Sequence, residues 1–124
     1  MGDIRDKVAV VGIGCTKFGE LFERSAEDLI VEAGHEAMRD AGIGPDRIEA
    51  AWVGTLSSAM SGNALSDPLK LTGIPITRVE NYCASGMEAV RNGAFAVASG
   101  MYDVVLALGF EKMKDMMMGG LPAP

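Results

Sequence analysis

Cys83 is the residue whose neighbours best equip it for chemistry. It lies in Thr77-Arg78-Val79-Glu80-Asn81-Tyr82-Cys83-Ala84-Ser85-Gly86, where a short strand pattern stops at the cysteine and a helix of small residues begins directly behind it. A helix N-terminus carries partial positive charge and unpaired N–H groups, so a thiol held there is stabilised as thiolate. The plainer reading is an inert buried cysteine, since free Cys is among the most buried residue types. The other cysteine, Cys15, has only Lys17 as a basic neighbour and no helix start behind it, so it is expected to pack at a strand end. His35 falls beside Glu32, Glu36 and Arg39 and reads as a surface histidine.

The hydrophobic pattern supplies a scaffold of alternating strands and helices for these side chains. Residues 7–14 form a near-continuous apolar run, as expected of a strand buried on both faces. After a loop, Ser25 reads as an N-cap, with Asp28 as the acidic member of a capping box. The helix that follows sets Ala26, Leu29, Ile30, Ala33, Ala37, Met38 and Ala41 on one face and stops at Gly42, just before Pro45. Residues 48–54 are predicted as a second strand containing Trp52, and 64–71 as a short helix with Pro68 near its start. Ser57, Ser58, Ser61, Gly62 and Asn63 form a polar loop between them. A third strand is predicted over 76–82, a centrally buried helix over 84–100, and a fourth strand over 101–109.

Such alternation predicts an α/β fold with a mixed, mostly parallel sheet and helices on both faces. Chemistry in these sheets sits at the carboxyl ends of strands, which is where Cys83 falls. Smaller signals have bland readings. Ser85 and Gly86 let the first helical turn approach a substrate or the sheet closely, and Glu88 with Arg91 makes a local ion pair. Met113, Met116, Met117 and Met118 could line an acyl chain, although such clusters are more often core or interface. Gly12-Ile13-Gly14 lacks the third glycine and the following helix of a dinucleotide site.

Composition excludes other classes. The 124 residues suffice for one domain with a core, and 48% hydrophobic content argues for a folded chain. A formal net charge of −6 without a basic cluster argues against nucleic acid and against an anionic membrane surface. Two cysteines make no disulfide framework, and no Cys/His spacing fits a metal. No apolar run approaches the roughly 18 residues that span a bilayer. The first six residues carry charges but no apolar stretch of a signal peptide. The expected location is cytoplasmic and reducing.

Three stretches in order resemble the thiolase superfamily. Asn81-Tyr82-Cys83-Ala84-Ser85-Gly86-Met87-Glu88-Ala89-Val90-Arg91 is similar to its nucleophile region. Val8 to Gly14 followed by Thr16-Lys17-Phe18-Gly19 looks like its first strand and turn. Val104 to Gly109 followed by Phe110-Glu111-Lys112-Met113 resembles the sterol-carrier-protein type of thiolase and its bacterial and archaeal relatives. Thiolases are several times longer than this chain. The Gly-His-Pro type motif, the Cys-x-Gly motif and the Asn-Glu-x-Phe segment of their second half-domain do not occur here. The resemblance therefore implies that residues 1–124 are an incomplete N-terminal half-domain carrying the nucleophile, with the second half-domain absent.

The implied activity of the complete protein is acyl-CoA C-acyltransfer through a Cys83 thioester, with coenzyme A as a substrate and no tightly bound cofactor. This chain alone is expected not to turn over. The alternatives are a thiolase-fold lyase, cleaving a 3-hydroxyacyl-CoA side chain by retro-aldol chemistry, and a non-catalytic thiolase-like subunit. Implied partners are acyl-CoA substrates, a second copy in a homodimer or homotetramer, and the remainder of the thiolase chain or a complementing subunit. A peroxisomal location is the eukaryotic alternative.

Overall fold

A computed structural model describes residues 2–116. Helix α1 spans Ala26–Ala41, strand β1 Ala50–Gly54, helix α2 Asn63–Leu69, strand β2 Ile76–Val79, helix α3 Ser85–Ala98 and strand β3 Val105–Gly109. Short 3-10 turns occupy Pro45–Arg47 and Met113–Met116. The three strands form one parallel sheet in the order β2-β1-β3. Among the described residues, no helix is long and apolar enough to cross a membrane.

Alternation along β1 and β3 sorts side chains to the two faces. Ala51, Val53, Leu106 and Leu108 join Ile30 and Met38 of α1 and Leu65 and Leu69 of α2 in one buried cluster. On the other face α3 lies against β1 and β3, where Gly93 sits near Val105, Ala107 and the Trp52 ring. Helices therefore cover both faces of the sheet, as the alternating pattern predicts. Trp52 also meets Tyr102 edge-on, with ring centroids 6.4 Å apart.

Helix α1 follows its sequence signals closely. The Ser25 hydroxyl accepts from the Asp28 N–H at 3.1 Å, and the Asp28 carboxylate accepts from the Ser25 N–H at 2.8 Å. Gly42 closes the helix at φ 71°, a left-handed conformation that glycine adopts without a Cβ penalty. Its N–H bonds back to Arg39.

Four expectations are corrected. Residues 7–14 make no strand. They run beside α1, where the Ile13 N–H donates to Asp40 and the Cys15 N–H to Glu36, both at 2.9 Å. Val10, Val11 and Ile13 are 77%, 65% and 71% exposed. Apolarity alone makes no strand; a neighbouring edge must supply hydrogen bonds, and a cleft of about 620 Å³ lies between this segment and β3. Pro68 is the sixth of the seven residues of α2, near its end, where a missing N–H costs a single bond. Helix α3 is buried only along Ser85, Ala89 and Gly93, while Met87, Val90 and Phe95 face outward. Strands β1 and β3 begin later than predicted, and β2 ends earlier, because each extends only as far as a partner pairs with it.

Candidate functional site

The carboxyl edge of the sheet is built by close approach. Gly54, the last residue of β1, lies under the first turn of α3: a Cβ there would collide with the Ser85 carbonyl and stand 2.8 Å from the Gly86 N. Gly109, the last residue of β3, is set so that its Cβ position is 3.3 Å from the Gly86 Cα. The missing side chains of Gly54 and Gly109 thus let the helix start descend onto the ends of two strands; the sequence expectation placed that role on Ser85 and Gly86, but a Cβ at Gly86 would meet nothing within 4 Å.

Cys83 sits in the turn that feeds this helix start. Strand β2 stops at Val79, opposite Gly54, because β1 offers no partner beyond that point. Residues 80–84 then carry the chain round, so the predicted run of strand to cysteine is interrupted by a turn. Tyr82 takes φ 49°, an uncommon conformation for a residue with a side chain. Ser85 holds the turn: its hydroxyl accepts from the Asn81 N–H at 2.8 Å and donates to the Tyr82 carbonyl at 2.7 Å. The same hydroxyl is 4% exposed with its residue. Backbone bonds from Ala84 to Asn81 and from Ser85 to Tyr82 tighten it further. Cys83 itself is exposed and free, against the inert buried reading. No side chain caps α3. The arrangement presents one thiol on a fixed turn, immediately before a helix, at the carboxyl edge of a parallel sheet.

The other sequence candidates lie elsewhere. His35 is exposed on α1, as expected. Cys15 is also exposed, which corrects its expected packing: its segment lies along the helix surface rather than in the sheet. Glu88 and Arg91 form the expected pair at 2.6 Å, and Arg91 lies over the Phe95 ring at 5.3 Å. The Glu88 carboxyl is held below its ordinary range by that Arg91 bond. Of the methionine cluster, Met117 and Met118 lie outside the described residues.

Glu111 is the organising residue that the sequence reading left without a role. Its carboxylate accepts from the N–H groups of Leu56, Ser57 and Ser58 at 2.7, 3.1 and 2.9 Å. It also accepts from the hydroxyls of Thr55, Ser57 and Ser58 at 3.1, 3.3 and 2.5 Å. Partial burial pushes its pKa up, but the bonds from Ser58, Leu56, Ser57 and Thr55 outweigh that and hold the carboxyl below its ordinary 4.5. Arg78 of β2 takes the opposite side of this loop, donating to the carbonyls of Thr55 and Leu56 at 3.0 and 2.8 Å. The available signal was a lone acid two residues past an apolar strand, together with a Ser-rich loop.

Lys112 extends the same hub. Its N–H donates to the Ser58 hydroxyl at 2.7 Å, and its ammonium to the Leu21 carbonyl at 2.6 Å. A cleft of about 460 Å³ opens beside it, lined by Phe18, Leu21, Leu29, Leu108, Phe110 and Met113 among others. The cleft meets the carboxyl edge of the sheet along Gly109, Phe110 and Glu111.

Known proteins share this sequence and this fold. An acetyl-CoA acetyltransferase of Methanothermobacter thermautotrophicus is 46% identical over 114 residues, covering 87% of this chain and 30% of that protein. Sterol carrier protein 2 of Gallus gallus is 45% identical over 111 residues, covering 86% of this chain and 20% of that protein. The chain thus spans less than a third of the length of either relative. Acat5 thiolase from Ascaris suum, solved in complex with coenzyme A, superposes with a TM-score of 0.69 at 24% identity, over 85% of this chain and 28% of that one. Residues 8–120 match the family described as thiolase, N-terminal domain, and the chain belongs to that family.

Proposed function

We propose that this chain is the nucleophile-bearing part of a thiolase-type acyl-CoA C-acyltransferase, with Cys83 as the nucleophile. One observation carries the reading: an exposed thiol on a braced turn before α3, at the carboxyl edge of the sheet, in a chain of the thiolase family. In the degradative direction the Cys83 thiolate attacks the keto carbon of a 3-ketoacyl-CoA. The bond between that carbon and its α-carbon breaks, and acetyl-CoA or propionyl-CoA leaves as an enolate that takes up a proton. The shortened acyl group stays on sulfur until the thiol of a second coenzyme A displaces it. Thiolate suits both steps, as a strong nucleophile and a good leaving group.

Coenzyme A enters as a substrate, and no tightly held cofactor is required. The enolate and the tetrahedral intermediates need further hydrogen-bond donors and an acid–base group. On this reading they come from the rest of a longer chain or from a complementing subunit, and residues 1–124 alone have no turnover. The assembled enzyme is a homodimer or homotetramer in a reducing compartment, cytoplasmic or, in a eukaryote, peroxisomal.

Brief iodoacetamide treatment of the full-length protein over a pH series, with peptide mapping, tests the nucleophile. Selective labelling of Cys83 well below pH 8 is expected, with loss of thiolysis in Cys83→Ala. A Cys83 that resists labelling until the protein unfolds would sink this reading and bring the retro-aldol lyase or a structural subunit forward.

A further inference from the structure

We propose that Glu111 is a positioning residue for the Cys83 site, fixing residues 55–58 on the end of the central strand and, through Gly54, the turn that carries the thiol. The inference rests on Cys83 being the nucleophile, but its first link is independent of that reading. Strand β1 is central, so the loop after it is the one segment at this edge flanked by chain from both neighbouring strands. Arg78 reaches it from β2 and holds carbonyls; Glu111 reaches it from beyond β3 and holds amides and hydroxyls. Three successive N–H groups converging on one carboxylate form an anion nest whose occupant is the protein's own side chain.

The second link is steric. Immediately before the loop, Gly54 is pinned on both sides: its carbonyl accepts from the Phe110 N–H at 3.1 Å, and the next N–H, of Thr55, donates to Val79 at 3.3 Å. Gly54 in turn lies against the Ser85 carbonyl, and the Ser85 hydroxyl braces Asn81 and Tyr82 on either side of the approach to Cys83. A loop released from Glu111 frees the end of β1, and with it the surface on which the start of α3 rests. Arg78 and Lys112 are the charged groups beside the clamp, and neither offers a substitute acceptor for the loop amides.

Glu111→Gln and Glu111→Ala in the full-length protein separate the links. Hydrogen exchange at Leu56, Ser57 and Ser58 reads the clamp; the pH profile of Cys83 alkylation reads the consequence. Both variants are expected to lose protection at those three amides. The midpoint of Cys83 labelling should move up by roughly half a pH unit, the scale of a misplaced helix terminus. Formate, entering the vacated nest, is expected to restore both readouts in Glu111→Ala and neither in Glu111→Gln. If Glu111→Ala does not fold, Glu111→Gln carries the comparison, since it keeps the side-chain shape. Unchanged protection would overturn the clamp. Lost protection with an unmoved Cys83 profile would overturn the positioning role. If wild-type Cys83 labels only on unfolding, the nucleophile reading fails instead, and the exchange result still decides whether Glu111 holds the loop.

Discussion

Glu111 illustrates how much one side chain can organise when its partners are backbone amides. Six donors lie within hydrogen-bond distance of one carboxylate, five of them at Oε1, and protonation would put a further donor among them. Its pKa is lowered in the folded protein, so its stabilising effect is fully present above its unfolded value near 4.5 and fades as pH falls through the lower folded value. At pH 7, Glu111→Gln is expected to be less stable than wild type by about 2 kcal/mol, less than the bond count implies because the group keeps contact with water. Urea titrations at successive pH values should show that gap closing below about pH 4.5. A gap that stays constant into acid would mean that shape, not charge, holds the loop. Asp28, lowered mainly by the Ser25 N–H bond, and Glu49, lowered by the Val104 and Asp103 N–H groups, leave an acid-sensitive remainder in both proteins.

Among the elements, the contact between β1 and α3 decides whether the site forms at all. Gly54 and Gly86 make a matched pair for testing it. A methyl at Gly54 would strike backbone that cannot move aside, whereas a methyl at Gly86 meets nothing within 4 Å. Gly54→Ala is therefore expected to cost about 2 kcal/mol or more in urea unfolding. Gly86→Ala should be neutral or stabilise α3 by roughly 0.5 kcal/mol, because alanine is the better helix former. Equal effects at the two positions would show that the helix start does not rest on the strand end as described. Tyr82 keeps its left-handed backbone between two bonds: its carbonyl accepts from the Ser85 hydroxyl and its N–H donates to the Glu80 carboxylate.

Among the described residues, apolar side chains face water at several places, two of them extended. One is the segment 8–14, and the other is the outer side of α3 with Met87, Val90 and Phe95. Surfaces of this kind often mark interaction sites, and on the proposed function the remainder of a longer protein or a second copy would cover them. Sedimentation of residues 1–124 by themselves is expected to show concentration-dependent association, weakened in a Val11→Lys, Phe95→Glu double variant. A monomer that unfolds cooperatively at all concentrations would show that neither surface needs covering.

Helix α1, with its Ser25–Asp28 box and Gly42 stop, was legible in the sequence because capping and termination are local, decided within a few residues. The parallel order of elements and the position of Cys83 at the carboxyl edge were legible for a related reason: alternation of apolar runs fixes which ends of the strands face the turns. Residues 7–14 read as a strand because their apolarity is local information, yet a strand exists only where another edge hydrogen-bonds to it, and that was decided by the fold. The same holds for Glu111. Its charge is written at position 111, but its role depends on residues 55–58 arriving beside it, more than fifty positions away. Sequence alone thus determined the class of scaffold and singled out the exposed thiol at its carboxyl edge; only tertiary structure decided what braces them, because those bonds join segments that no local pattern connects.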